Sequence, residues 1–298
     1  MDFTTGTELL KCCQETGLPI SAVMKQRECD LTEQTEDDVF ARMLEALHIM
    51  QDSAHMPLTR PMRSMGGLIG QEAEKIAAHE AQEPRSLSGP VLGRAITYAM
   101  AVPEVNASMG LIVAAPTAGS CGVVPGVLLA LQDVYGFTDE QITTVLFNAG
   151  AVGYLAMRNA TVAGAMGGCQ AEVGVASAMA ASAAVELMGG EPQQCLDAAS
   201  TVLMNMLGLV CDPVGGLVEY PCQSRNASGA ANALTAATIA LSGIRQLIPF
   251  DEMLDAMFTI GKSMPAELRE TALGGCATTP SACAKCRAGK IGSCPAGE

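Results

Sequence analysis

The sequence predicts an all-α protein: one compact, helical bundle-like domain punctuated by glycine- and proline-rich turns. Three observations carry this. Apolar residues recur at helical spacing, and no stretch alternates apolar and polar at period two for more than a few residues. Hydrophobic residues make up 49% of the chain but aromatics only 3%, with no Trp, so the bulk is Ala, Gly, Met, Leu and Val, which suits helices that approach closely. Glycine and proline then interrupt the apolar runs.

The elements follow in order. Thr5-Gly6-Thr7-Glu8 opens a first amphipathic helix. Thr35-Glu36-Asp37-Asp38 has the form of a capping box, its hydroxyl able to accept a backbone N–H and its acids near the positive helix end. A helix over about 36–51 follows, with Val39, Phe40, Met43, Leu44, Leu47 and Met50 as its apolar stripe. Residues 52–70 read as loop, because Pro57, Pro61 and Gly66-Gly67 break any long element. A helix near 71–82 comes next, then the polar turn Arg85-Ser86-Leu87-Ser88-Gly89-Pro90 and a helix over about 91–100. From Asn106 onward, long Ala/Gly/Met/Val helices alternate with breaks at 118–122, 164–168, 189–190 and 215–216. There is no evident repeat or linker. Residues 1–275 therefore form one domain, and 276–298 a cysteine-rich tail, mobile after about Gly274.

Composition narrows the function. A net charge of −14 over 298 residues argues against a nucleic-acid surface, which needs a basic patch. With only 16% charged residues, much of the surface is expected to be buried against something else. The start of the chain is polar and acidic, without a secretory signal. Twelve cysteines then imply a reducing cytoplasm, where thiols are free, metal-bound or catalytic. The mean hydropathy of +0.28 raises the question of a membrane. The most apolar stretches, 109–131 and 145–166, are interrupted by Pro116 and Pro125 and by Asn148, Arg158 and Asn159. Neither gives the roughly 20 unbroken apolar residues of a membrane span, so buried helices of a soluble protein are expected.

Cysteine placement is the most informative feature. Cys169 lies in Gly167-Gly168-Cys169-Gln170-Ala171-Glu172, Cys211 in Leu209-Val210-Cys211-Asp212-Pro213, and Cys222 in Tyr220-Pro221-Cys222-Gln223-Ser224-Arg225-Asn226. Each sits at a glycine or proline turn or a helix end, where thiolates can converge on a metal from different directions and where a helix N-terminus favours the thiolate. None belongs to a tight Cys-x2-Cys run of the kind usual for iron–sulfur ligands. On spacing alone, buried inert thiols are the default.

Longer motifs change that balance. Ser86-Leu87-Ser88-Gly89-Pro90, Pro116-Thr117-Ala118-Gly119-Ser120, Gly168-Cys169-Gln170-Ala171-Glu172-Val173-Gly174 and Met264-Pro265-Ala266-Glu267-Leu268-Arg269-Glu270-Thr271, with segments 106–110, 205–216 and 221–227, run in order along the chain. Together they resemble the α subunit of iron–sulfur-dependent L-serine dehydratase. The resemblance implies that Cys169, Cys211 and Cys222 hold three irons of a [4Fe–4S] cluster, leaving the fourth free of protein thiolate when substrate is bound. It implies that L-serine loses its hydroxyl to that iron, acting as a Lewis acid, while a base removes the Cα proton. The aminoacrylate that results gives pyruvate and ammonia. No pyridoxal phosphate is needed, and no lysine stands in a recognisable context for one.

The resemblance also implies that Ser88, Gly89, Thr117, Ser120 and Asn226 line the substrate pocket. From the residues alone, the Ser and Thr would be helix caps. Arg225 could donate to cluster sulfurs or substrate, or form a structural ion pair. Glu172 and Asp212 read equally as groups behind the ligands and as ordinary helix-end charges. The three histidines, His48, His55 and His79, fall outside these motifs, and His48 and His79 are expected at the surface. The catalytic base is thus unassigned in this chain and is expected from a separate β subunit, as the resemblance implies.

Cys276, Cys283, Cys286 and Cys294 depart from the family pattern. One could plug the open iron, as in some single-chain relatives. The four could instead bind their own zinc or cluster, since Cys283-x2-Cys286 is a chelating spacing, or form a disordered reduced tail. Cys121 is expected near the pocket without being a ligand, and Cys12, Cys13, Cys29 and Cys195 look structural or incidental. Two further readings stand beside the dehydratase: a cysteine desulfidase using the same cluster, and a non-catalytic metal-binding protein.

Overall fold

A computed structural model describes residues 2–83, 85–289 and 291. Among the described residues the chain is α-helical, and its only β-type pairing is one isolated bridge between Cys211 and Arg269. The helices are α1 (Gly6–Thr16), α2 (Ile20–Thr32), α3 (Glu36–Thr59), α4 (Glu72–Gln82), α5 (Gly89–Ala107), α6 (Val123–Tyr135), α7 (Asp139–Asn159), the single turn α8 (Gly164–Gly167), α9 (Val175–Leu187), α10 (Pro192–Met206), α11 (Cys222–Leu241), α12 (Phe250–Ser263) and α13 (Pro280–Gly289). The all-α expectation is met.

The caps form as the sequence indicates. Thr5 Oγ1 accepts the Glu8 N–H at 3.1 Å. Thr35 Oγ1 accepts the Asp38 N–H at 3.2 Å while the Asp38 carboxylate takes the Thr35 N–H at 3.3 Å, closing the box. Two helices outrun their expected ends. α3 continues through Pro57 to Thr59, and α5 through Pro103 to Ala107. A proline forfeits one helical bond, but Leu47, Met50, Ala54 and Pro57 fall three or four residues apart and are all buried, and Pro103 is buried too. Packing outweighs the lost bond in both.

α9 is the axle. Val175, Ala176, Ser177 and every residue on to Val185 are buried, and α6, α7, α10 and α11 pack around it. Small residues make this possible: a Cβ at Gly126 of α6 would stand 2.8 Å from the Ala99 Cβ of α5, and one at Gly229 of α11 would stand 2.6 Å from Ser177 Oγ of α9. The stretch Ala118–Tyr135 is long and apolar enough to cross a membrane by composition, but 67% of it is buried inside the bundle.

The helix directions set up one end of the bundle for chemistry. α6 starts just after Cys121, α9 follows the turn that begins at Cys169, and α11 starts at Cys222. Their far ends, at Leu131 and Tyr135, Ala184 and Met188, and Thr238 and Leu241, line one common cavity. The three helices therefore run in the same sense, with their N-terminal ends together.

The segment after Gly274, expected to be mobile, folds back as far as it is described. A 3-10 turn (Gly275–Thr278) leads into α13, whose Cys283 and Cys286 are buried. Cys286 Sγ and Ile291 pack against Gly215, where φ of 66° leaves no room for a side chain. Cys294 lies outside the described residues.

Candidate active site

Cys169 is delivered by Gly168, whose φ of 72° lies in the left-handed region that glycine tolerates. A π-helical turn (Gln170–Gly174) follows, a local widening that often marks functional sites. Gln170 fastens the turn by donating to Met257 O at 2.9 Å and accepting from the Gly208 N–H at 2.9 Å. Cys211 is held in the isolated bridge: its N–H donates to Leu268 O at 2.9 Å and its carbonyl accepts the Glu270 N–H at 2.7 Å. Cys222 opens α11 directly after Pro221.

The three thiols lie in one place. Each is buried, and the charge on any one acts on the others: Cys211 feels Cys169 and Cys222, and Cys222 feels Cys169. Burial is the main cause that pushes the Cys169 thiol up to about 11 and Cys222 up to about 12. Cys211 is raised as well, by burial and then by Glu172 and the other two thiols. Arg225 opposes this at Cys169, against which its guanidinium donates. Its Nη1 donates to Val210 O at 2.8 Å, and its Nη2 pairs with Asp212 Oδ1 at 2.7 Å, so the cation is aimed and not free to swing. Asp212 in turn accepts the Cys276 N–H at 2.6 Å, tying the C-terminal segment to the same network.

Glu172 completes the group. Its carboxylate accepts from Thr117 Oγ1 at 2.9 Å and from Cys211 Sγ at 3.5 Å. Burial raises its pKa, Thr117 opposes that, and Glu270 adds a like charge. Two glycines make room for it: a Cβ at Gly119 would stand 3.1 Å from Glu172 Oε1, and one at Gly164 would stand 2.5 Å from Oε2 and 3.1 Å from Cys211 Sγ.

The expected substrate residues are only partly gathered here. Thr117 reaches the site through Glu172. Ser120 is fully buried one turn behind it, with its hydroxyl 3.4 Å from Ala115 O and Thr117 O. Asn226, expected to line the substrate pocket, is engaged with the chain itself. It is fully buried, its amide donates to Gly119 O at 2.8 Å and Cys222 O at 2.9 Å, and its Oδ1 accepts the Gly122 N–H at 2.9 Å. Both amide hydrogens are spent, so Asn226 is a strut joining the 116–122 turn to α11. Replacing it with alanine is expected to cost about 2–3 kcal/mol by stranding buried backbone groups, measured by denaturant titration of the iron-free chain. Ser88 and Gly89, also expected to line the pocket, lie apart from the three thiols. They sit at the start of α5, with Ser88 Oγ donating to Glu80 Oε2 at 2.9 Å. Ser88 lines the cavity at the far ends of α6, α9 and α11, and α11 alone spans about 30 Å.

The histidines stand apart. His48, His55 and His79 are all exposed; His48 lies 3.9 Å from Asp139, and His55 packs edge-on against Tyr98. Cys121 is fully buried beside Cys222, and Cys13 and Cys195 are buried elsewhere in the core. Among the described residues no three His, Cys, Asp or Glu side chains close around a point as a single metal ion requires. Three buried thiols that sense one another's charge are a donor set of the kind that a polynuclear cluster uses, its thiolates attaching at different corners. Sequence reasoning left two features unassigned: the central position of Glu172, and the clamping of Cys211 by residues 268–270. The signal for Glu172 was its place in the motif at 168–174, and that for the clamp was the motif around Glu267 and Glu270, which spacing cannot connect to Cys211.

Comparison with known proteins follows the same lines. Residues 15–277 match a family model described as serine dehydratase alpha chain. The chain is 49% identical to a probable L-serine dehydratase, alpha chain, of Bacillus subtilis, over 94% of this chain and 92% of that one. It is 43% identical to the L-serine dehydratase, alpha chain, of Peptoniphilus asaccharolyticus, over 92% and 94%. It is 37% identical to L-serine dehydratase 1 of Escherichia coli, over 92% of this chain but 61% of that longer one.

Proposed function

The chain belongs to the serine dehydratase alpha-chain family, and from this premise we propose that it is the cluster-bearing subunit of a cytoplasmic L-serine ammonia-lyase, converting L-serine to pyruvate and ammonia. The observation that carries this reading is the meeting of three buried thiols, one aimed guanidinium and one carboxylate at a single end of the bundle. We take Cys169, Cys211 and Cys222 as the ligands of a [4Fe–4S] cluster. Such a cluster supplies a Lewis acid for the departing hydroxyl. Buried thiolates repel one another, and the iron charge offsets that repulsion in a way that protons on the thiols otherwise must.

The chain's own residues then have distinct tasks. Arg225, fixed by Asp212, offsets negative charge beside Cys169. Thr117 and the glycines at 119 and 164 hold Glu172 in reach of the shared space. A separate β subunit is the proposed partner. Relatives carrying the name alpha chain are covered nearly end to end, whereas the E. coli enzyme extends well beyond the matched region.

The test is anaerobic reconstitution with iron and sulfide. Iron and sulfide are expected in the ratio of a [4Fe–4S] cluster, with a spectrum that shifts on adding L-serine, and ammonia is expected as product in the presence of the partner. Failure to retain iron sinks the reading, and release of sulfide from L-cysteine in preference to ammonia from L-serine redirects it to a desulfidase.

A further inference from the structure

Once the thiols and Arg225 have their tasks, Glu172 has none that its surroundings explain. Its side chain is half-buried, its side-chain partners among the described residues are one hydroxyl and one thiol, and no lysine, arginine or histidine pairs with it. Another acid, Glu270, acts on it instead, and Cys211 Sγ lies 3.5 Å from its second oxygen. A carboxylate so placed is costly unless a cation arrives. The fold nevertheless keeps space for it, since side chains at Gly119 or Gly164 would strike it. Its neighbour Thr117 fixes one oxygen and leaves the other turned to Cys211.

We propose that Glu172 receives the α-ammonium of the amino-acid substrate. This rests on the dehydratase reading above and adds a specificity determinant to it. The substrate brings three N–H donors and a positive charge to a carboxylate with which no cation of the described residues is paired, since Arg225 is held by Asp212, and the pairing is charge-assisted. It also orients the substrate. With the ammonium on Glu172 beside Cys211, the hydroxyl-bearing carbon is held toward the space shared by the thiols. A hydroxy acid that lacks the amine gains nothing from Glu172.

The experiment compares wild type, Glu172→Gln and Glu172→Asp, each reconstituted anaerobically and assembled with the partner subunit. L-serine and 3-hydroxypropanoate, its analogue without the amine, are titrated separately, and binding is read from the change in the cluster's visible absorption spectrum. In wild type, L-serine binds more tightly than the analogue. In Glu172→Gln, L-serine affinity falls about tenfold or more, as expected on losing a charged partner, while affinity for the analogue is unchanged, and Glu172→Asp recovers part of the preference. Equal L-serine binding in wild type and Glu172→Gln overturns the proposal. So does loss of iron, or an altered resting spectrum, in Glu172→Gln, which assigns the carboxylate to holding the ligand set. If neither compound perturbs wild type, the dehydratase reading itself fails.

Discussion

Replacing Cys211 with alanine is expected to reduce bound iron to background and abolish pyruvate formation while leaving the apo chain folded. The same outcome is expected for Cys169→Ala and Cys222→Ala, and not for Cys121→Ala. The contrast is physical. Cys121 is as deeply buried as the others, but it sits beside Cys222 and acts on no other thiol of the group, whereas Cys211 faces both Cys169 and Cys222. As core residues, all four would behave alike: removing a small buried group costs roughly 1 kcal/mol or somewhat more through lost contacts and a small cavity. As ligands, three of them differ from the fourth by the whole of the iron binding. Iron analysis and thermal unfolding of the four variants, made under anaerobic conditions, separate the two accounts. Equal iron in Cys211→Ala and Cys121→Ala would return the thiols to the core.

The fold was readable because its determinants are local. Thr35 and Asp38 close their box within one turn, and the Ala-, Gly- and Ser-rich runs become helices packed at close range. What escaped was set by contacts distant in sequence. Pro57 reads as a stop, since a proline's cost is local while the burial that outweighs it is not. Ser88 and Asn226 stand in motifs of equal prominence. One ends at the far side of the bundle, and the other is consumed as a strut. A motif marks a residue that matters without saying what it touches. Glu172 is the converse: its position three residues after Cys169 reads equally as a group behind the ligand and as a helix-end charge, and its importance arises from Thr117, Gly164 and Cys211, which reach it from three other parts of the chain.

The reconstituted chain alone is expected to bind L-serine and yet form pyruvate at least roughly 10²–10⁴-fold more slowly than the chain with its partner, the range that one positioned acid–base group contributes. Thiols committed to iron cannot serve as a base, and Arg225 is a fixed cation paired with Asp212. Glu172 is taken up by Thr117 and by the substrate ammonium. The imidazoles are no better placed: His48 lies near Asp139, His55 is packed on Tyr98, and His79 is exposed on α4. Removal of a weakly acidic Cα proton needs a base within hydrogen-bonding reach of it, and the partner is the proposed source. Exposed Met65, Met109, Leu111 and Tyr220 are consistent with a covered surface at this end. Met65 donates its N–H to Ala107 O at the end of α5, and Tyr220 stands two residues before Cys222. Stopped-assay rates for the chain with and without the partner, at matched iron content and saturating L-serine, decide the matter. Full rate without the partner would mean that the base lies within this chain, with Glu172 the first candidate to re-examine.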